Sequence, residues 1–223
     1  MDLMEAMKAR HSVRSYTDEK IEGEVKEKLQ AVIDDCNKKS GLNIQLCLDE
    51  PKAFTGLMVK YGNIKNVRNY VALVGKKEPG LDEKCGYYGE LIILEAQRMG
   101  LNTCWIGGSY SKKNAKEAAN IAPDEKMPLV IAIGYGATQG VPHKSKPIER
   151  LSRYEGEMPS WFLAGMEAAI LAPTAINQQK FLFTLKGNTV SASAGTGPFS
   201  KVDLGIVKYH FEIGAGKDGW KWA

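Results

Sequence analysis

Apolar residues recur at helical spacing in several windows. Val25, Leu29, Val32, Ile33 and Cys36 fall on one face, which predicts an amphipathic helix over Glu22–Asn37, ended by Gly41. Leu3, Met4 and Met7 share a face behind Asp2 and Glu5, a D-x-x-E start signal, so a short helix to Lys8–Arg10 is expected. RHSVRSYTDEK then reads as a loop. Asn43–Leu48 alternates like a strand, and Val67–Val74, closed by Gly75, is a second. Tyr88, Leu91, Ile92, Ala96 and Met99 mark a helix from about Lys84, stopped by Gly100. Ser111 is placed to cap a shorter helix to about Ile121. Leu129–Ile133 is a continuous apolar run, the pattern of a strand buried on both faces. Ser160 is expected to cap a helix with Leu163, Met166 and Ile170 inward, stopped before Pro173. Phe181–Leu185 and Thr189–Ala194 read as a hairpin around Lys186–Asn188. Val202–Ile213, closed by Gly214 and Gly216, is the last helix.

Helices and strands are interspersed, which points to an α+β layered domain with a mixed sheet. A faint repeat accompanies them. Arg14-Ser15-Tyr16 is similar to Arg153-Tyr154, and each is followed by an amphipathic helix and a strand (Asn43–Leu48 and Phe181–Leu185). Each half then closes with a glycine-bounded helix, Gly89–Gly100 and Gly205–Gly216. Duplication and chance both stay open on so few identities.

Composition narrows the class. Of 223 residues, 43% are hydrophobic and 25% charged, which excludes disordered and fibrous chains. A net charge of +4 is far from the dense cationic stripe of a nucleic-acid binder. Cys36, Cys47, Cys85 and Cys104 are widely spaced and histidines number only 3, against a zinc site or disulfide framework. The start MDLMEAMKARH holds no apolar signal segment, and the longest apolar run, around Pro128–Ala137, is too short for a bilayer. A cytoplasmic protein with reduced thiols is expected.

Four segments carry candidate chemistry. Arg10-His11-Ser12-Val13-Arg14 places two guanidinium forks and a hydroxyl at alternate positions of an extended loop, suited to phosphate and carbonyl oxygens. Ala172–Phe181 (APTAINQQKF) offers small residues for close approach to a flat ring, with amides that both donate and accept. Gly100–Gly108 (GLNTCWIGG) ends in a glycine pair whose backbone N–H groups can face a ligand. Lys144 and Lys146 could clamp a phosphate. Each segment alone also has a plainer explanation: a solvated basic turn, a polar helix-to-strand turn, a strand ending in a turn, and an exposed loop, respectively. Gly134–Gly140 (GYGATQG) is rejected as a dinucleotide fingerprint: its third glycine is one residue late, and Val141-Pro142 blocks the helix that should follow.

Together these segments resemble the nitroreductase superfamily of FMN-dependent oxidoreductases. ARHSVRSY is similar to its R-R-S-x-R-x-F/Y signature, APTAINQQKF to A-P-S-x-x-N-x-Q-P-W, and GLNTCWIGG to G-L-G-T-x-W-I-G-G. PLVIAIGYG followed by Lys144-x-Lys146 is similar to its strand, G-Y-P turn and basic clamp. The resemblance implies an α+β nitroreductase-like fold, a mixed, mainly antiparallel sheet flanked by helices. It implies that Arg10, Ser12 and Arg14 bind FMN phosphate, ribityl chain and pyrimidine edge, with His11 where a second Arg often stands. Pro173, Thr174, Ala175, Asn177 and Gln179 would lie along the flavin. Ile106, Gly107 and Gly108 would line the ring near N5, and Lys144 and Lys146 would hold the phosphate. No catalytic side chain and no metal is implied.

The motif order departs from the family. The A-P-S-like segment stands at Ala172, whereas the usual slot, Asp34–Gly41, reads DDCNKKSG. That order suggests a fused pseudo-dimer of two similar halves, 1–150 and 151–223, forming one compact unit around one flavin. Lys180 stands where the family has Pro. The implied activity is ping-pong transfer from NADH or NADPH through FMN to a nitroaromatic, quinone or related electron-poor substrate. A flavin-binding protein that stores or senses FMN without efficient turnover is the alternative. The expected partners are small molecules, not nucleic acid or membrane, and the chain is expected to act as a monomer or homodimer.

Overall fold

The computed structural model describes residues 1–55, 59 and 62–223. The chain divides into two compact units. Ala9–Leu81 with Ile92–Pro142 form one, here the N-terminal unit. Met1–Lys8, Asp82–Leu91 and His143–Ala223 form the other, the C-terminal unit. Each is α+β.

In the N-terminal unit β1 (Gln45–Cys47), β2 (Asn69–Lys76), β3 (Asn102–Ile106) and β4 (Glu125–Gly134) form a sheet ordered β1-β2-β4-β3. Every neighbouring pair is antiparallel. β2 and β4 are central and buried along almost their whole length, so their sequences run apolar instead of alternating. On one face Tyr70, Ala72, Val74, Val130 and Ala132 join a cluster with Phe54, Tyr110 and Ala115 of α4 (Lys112–Ala118), the short helix that Ser111 caps. Phe54 meets Tyr70 edge to face at 5.8 Å.

Helix α2 (Gly23–Ser40) buries Leu29, Ile33 and Cys36, and runs three residues past its expected end at Asn37. It stops at Gly41, φ 70°, whose N–H bonds the Asn37 carbonyl. Asn37 then fixes the exit: its Oδ1 accepts from Ile44 N–H at 2.7 Å and its Nδ2 donates to Ile44 O at 2.8 Å. The expected strand at Asn43–Leu48 shrinks to β1.

The C-terminal unit opens with α1 (Leu3–Ala9), where Asp2 and Glu5 bond each other's backbone N–H reciprocally, both at 2.8 Å. Its sheet is β5 (Ser152–Arg153), β6 (Phe181–Lys186), β7 (Thr189–Ala194) and β8 (Lys221–Trp222), in that order. β6 and β7 form the expected hairpin over Gly187-Asn188, while the outer pairs are parallel. The expected single mixed sheet is therefore two sheets, with mixing confined to the second. Two helix signals read differently in place. In α5 (Ser160–Ala169) the cap is Pro159; Ser160 is already helical and makes no capping bond. In α6 (Ser200–Ala215) Gly214 lies inside the helix, and Gly216 ends it. A β-carbon on Gly214 would lie 2.4 Å from the Ala164 carbonyl, so this glycine permits close packing on α5 and does not stop the helix.

Helix α3 (Leu81–Arg98) contributes Asp82–Leu91 to the C-terminal unit, where it crosses α6 backbone against backbone. A β-carbon on Gly86 would sit 2.0 Å from Val202 O, and one on Gly205 would sit 1.9 Å from Glu83 O. Gly86 also faces Ile206 N, and Gly205 faces Tyr87 N. Gly86 and Gly205 are 119 residues apart; so are Glu83 and Val202, and Tyr87 and Ile206. The contact is thus isologous, the pattern of a two-fold axis. The same spacing relates Asn102 and Lys221, which open β3 and β8. This register replaces the expected pairing of Gly89 with Gly205. Tyr16 and Tyr154, matched in the repeat, differ in depth: Tyr16 is 5% exposed and Tyr154 38%.

Candidate functional site

Segment 10–17 leaves α1 as an extended strap pinned on two sides. Val13 N–H bonds Thr103 O at 3.0 Å, Lys65 N–H bonds Arg14 O at 2.7 Å, and Ala137 N–H bonds Ser15 O at 2.9 Å. Val13 and Tyr16 point inward, with Tyr16 Oη donating to Val13 O at 2.8 Å. The alternate positions differ in depth: Arg10 is buried, Ser12 half-buried and Arg14 exposed. The strap runs along β3, where Ser12 pairs with Thr103, and the charges of Arg10 and Arg14 act on the neighbouring Cys104. Burial pushes that thiol up, and the Arg14 charge, a Ser12 hydrogen bond and the Arg10 charge pull against it. Burial outweighs them, so Cys104 is a protonated packing residue and not a nucleophile. β3 then delivers Ile106, buried, to Gly107 and to Gly108, whose α-carbon faces open space.

The glycine-rich turn after β4 has a role that motif reading missed. Asn102 Oδ1 accepts from Gly136 N–H at 3.0 Å, and Asn102 Nδ2 donates to Gln139 Oε1 at 3.1 Å. Gly140, φ 70°, brings its α-carbon against His11, where a β-carbon would lie 2.8 Å from His11 Cβ. The turn therefore buttresses the arginine strap. Glycines spaced along a turn after a buried strand were the available signal; their partner was not legible.

Segments 143–146 and 173–180 lie in the C-terminal unit, separate in the chain's division from the arginine strap. Here Gln179 is buried, and its side chain is used within the loop. Its Nε2 donates to Lys144 O and to Asn177 Oδ1, both at 2.8 Å, and its Oε1 accepts from Lys146 N–H at 2.7 Å. Lys146 Nζ donates to Gln178 O at 2.7 Å and to Gln179 O at 3.1 Å. The expected phosphate clamp thus has one ammonium committed mainly to backbone carbonyls, while Lys144 is exposed. Asn177 Nδ2 donates to Lys144 O at 3.0 Å, and Thr174 Oγ1 accepts from Gln179 N–H at 3.0 Å. Pro173, Thr174 and Ala175 are half-buried.

This loop is strained. Ile176, Asn177 and Gln179 have φ of 48°, 54° and 44°. Left-handed backbone is tolerable for Asn but unfavourable for a β-branched residue, at a cost of order 1–3 kcal/mol. Beneath the loop Asp203 of α6, 3% exposed, accepts from Ala175 N–H at 2.9 Å and from Gln178 Nε2 at 2.7 Å. Burial raises its carboxyl to about 6, against the pull of those two hydrogen bonds. A second buried pair lies nearby in the same unit. His210 Nε2 stands 2.9 Å from Glu90 Oε1, and His210 Nδ1 stands 3.1 Å from Ala168 O. Among the described residues no group of three or more His, Cys, Asp or Glu is placed to hold a metal ion, and no helix is long and apolar enough to cross a membrane.

Comparison with known proteins agrees with this architecture. A family profile described as "Putative TM nitroreductase" matches residues 2–215. The chain belongs to this nitroreductase family. It is similar to a solved structure described as a "putative nitroreductase" from Thermotoga maritima, at 24% identity over 96% of this chain and 83% of that one, TM-score 0.64. It is also similar in fold to a Parabacteroides distasonis protein described as a "Putative NADH dehydrogenase/NAD(P)H nitroreductase" (19% identity; 70% and 98% coverage; TM-score 0.53). A third is a structure from Exiguobacterium sibiricum described as a "putative nitroreductase in complex with FMN" (18% identity; 67% and 95% coverage; TM-score 0.54). No curated protein matches significantly. Family membership supports a flavoprotein oxidoreductase in general terms.

Proposed function

We propose that the chain is an FMN-dependent oxidoreductase that uses NADH or NADPH to reduce a nitroaromatic, quinone or related small electron-poor substrate, in ping-pong order. The observation that carries this reading is the strap of Arg10, Ser12 and Arg14 along β3, in a chain of a nitroreductase family. The donor set fits FMN. Guanidinium and hydroxyl groups suit phosphate and carbonyl oxygens, and half-buried Pro173, Thr174 and Ala175 suit a flat ring.

Bound FMN would supply the hydride and electron transfer. The chain's residues bind, orient and exclude. Arg10, Ser12, Arg14 and Lys144 would hold the phosphate, ribityl chain and ring carbonyl edge, with His11 supporting the strap. Ile106, Gly107 and Gly108 would line the ring through apolar surface and backbone N–H groups. Asn177, Gln179 and Lys146, through their mutual bonds, would fix the loop that carries Pro173–Ala175. The isologous crossing at Gly86 and Gly205 supports a fusion of two nitroreductase-like halves, and hence one chain that is competent as a monomer. The test is the visible spectrum of protein incubated with FMN, followed anaerobically as NADPH and then NADH is added. Flavin bands retained on the protein and bleached within seconds are expected. Retained bands that persist with both donors would indicate a flavin carrier, and failure to retain FMN would end the reading.

A further inference from the structure

Ile176 is 88% exposed, yet it is apolar, β-branched and held at φ 48°. A free loop would relax from that conformation and shed that exposure. This one is fastened. Asp203 bonds Ala175 on one side of Ile176 and Gln178 on the other, and Gln178 is tied again to Pro198 O at 2.8 Å. Asn177 and Gln179 lock the far end on Lys144. A buried carboxylate is itself unfavourable, so two unfavourable features sustain each other at one point of the chain. Strain that is over-determined by its surroundings, at a residue flanked by proposed flavin-contacting positions, is a mark of ligand contact.

We propose that Asp203 is a positioning residue that holds loop 174–179 so that Ile176 presents an apolar contact to the electron-accepting substrate. This rests on the oxidoreductase reading above. It assigns to the acceptor an apolar, ring-bearing surface that Ile176 covers.

The test compares two oxidants in steady-state assays of the FMN-loaded protein. Menadione is apolar and must dock; ferricyanide is a small hydrophilic outer-sphere oxidant that has no use for an apolar contact. In Ile176→Gly, which accepts positive φ freely, KM for menadione is expected to rise about five- to tenfold while its kcat changes less than twofold. Ferricyanide kinetics and FMN affinity stay unchanged, and thermal stability rises because strain is removed. Asp203→Asn and Gln178→Met should repeat the rise in menadione KM; because the same loop carries Pro173–Ala175, FMN is titrated in each and both oxidants are compared at saturating FMN. Equal losses with both oxidants, or no change with either in Ile176→Gly, would overturn the assignment. If the wild-type protein retains no FMN, it is the oxidoreductase reading that has failed, and the FMN titration run beforehand shows which.

Discussion

Residues 69–106 and 189–222 are strand–helix–strand segments with a common spacing, but they are built for different work. In the first, β2 is buried on both faces and β3 carries buried Asn102 and Thr103 that hold a glycine turn and the arginine strap. In the second, β7 buries only Val190 and beyond it alternates exposed serines with half-buried alanines, and α6 carries buried Asp203 and His210. The shared element is the crossing at Gly86 and Gly205, where geometry leaves no room for a side chain. The lesson is that close helix crossing demands a glycine at equivalent positions of α3 and α6, while the residues around each glycine differ with the loop each segment holds.

The largest effects should come at the crossing. Gly86→Ala and Gly205→Ala each place a carbon about 2 Å from a backbone oxygen, so each should cost about 3 kcal/mol or more in urea unfolding. If the contact is symmetric, the two costs are similar and the double variant is less than additive. A cheap substitution at one and a severe one at the other would break the symmetry. Next, Glu90→Ala leaves buried His210 without its carboxylate partner, and should cost about 3 kcal/mol by the same measurement. A loss below about 0.5 kcal/mol would show that the pair is dispensable.

The strap and the loop can be separated by FMN titration. Arg10→Ala and Arg14→Ala should each weaken FMN by about 1.5–3 kcal/mol, roughly 10- to 150-fold, by removing a charge-assisted contact. Lys146→Ala should weaken it less than Lys144→Ala, because the Lys146 ammonium already serves two carbonyls. Equal affinities in wild type and both arginine variants would remove the strap from the site.

Asp203 gives a pH signature of its own. Its folded-state pKa is about 6, above the ordinary value of 3.8. Between those values the folded state holds a proton that the unfolded chain has released. This group's contribution is therefore most favourable at low pH and is lost as pH rises through about 4 to 6, by on the order of 2–3 kcal/mol. In Asp203→Asn that decline should be absent, so the stability difference between wild type and variant should itself fall across this pH range. Parallel curves for the two proteins would contradict the buried-acid account.

Much of the fold was legible because local chemistry decided it. The α2 stripe, the Asp2–Glu5 box, the Gly187-Asn188 turn and the apolar run of β4 each follow from a few neighbouring residues. What was missed depends on distant partners. β3 was legible only as an alternative, a strand ending in a turn, because polar Asn102 and Thr103 open it and the 134–140 turn that covers Asn102 is distant in sequence. Ser160 and Gly214 carry ordinary stop-and-start signals that packing overrode. The crossing register was three residues off, since Gly86 and Gly89 are equivalent on paper and only contact with α6 separates them. Within the site, residue types were legible and their commitments were not: nothing local says that Gln179 and Lys146 spend their hydrogen bonds on the loop itself. Nor does it say that Ile176 is held left-handed by an acid 27 residues later.

The central claim is one flavin site completed by a single fused chain. Its most direct measurement is a stoichiometric FMN titration by absorbance on protein whose mass in solution is determined by light scattering. The account predicts saturation at one FMN per 223-residue chain with the protein monomeric. Saturation at one FMN per two chains, binding confined to a dimer, or no saturable binding would contradict it.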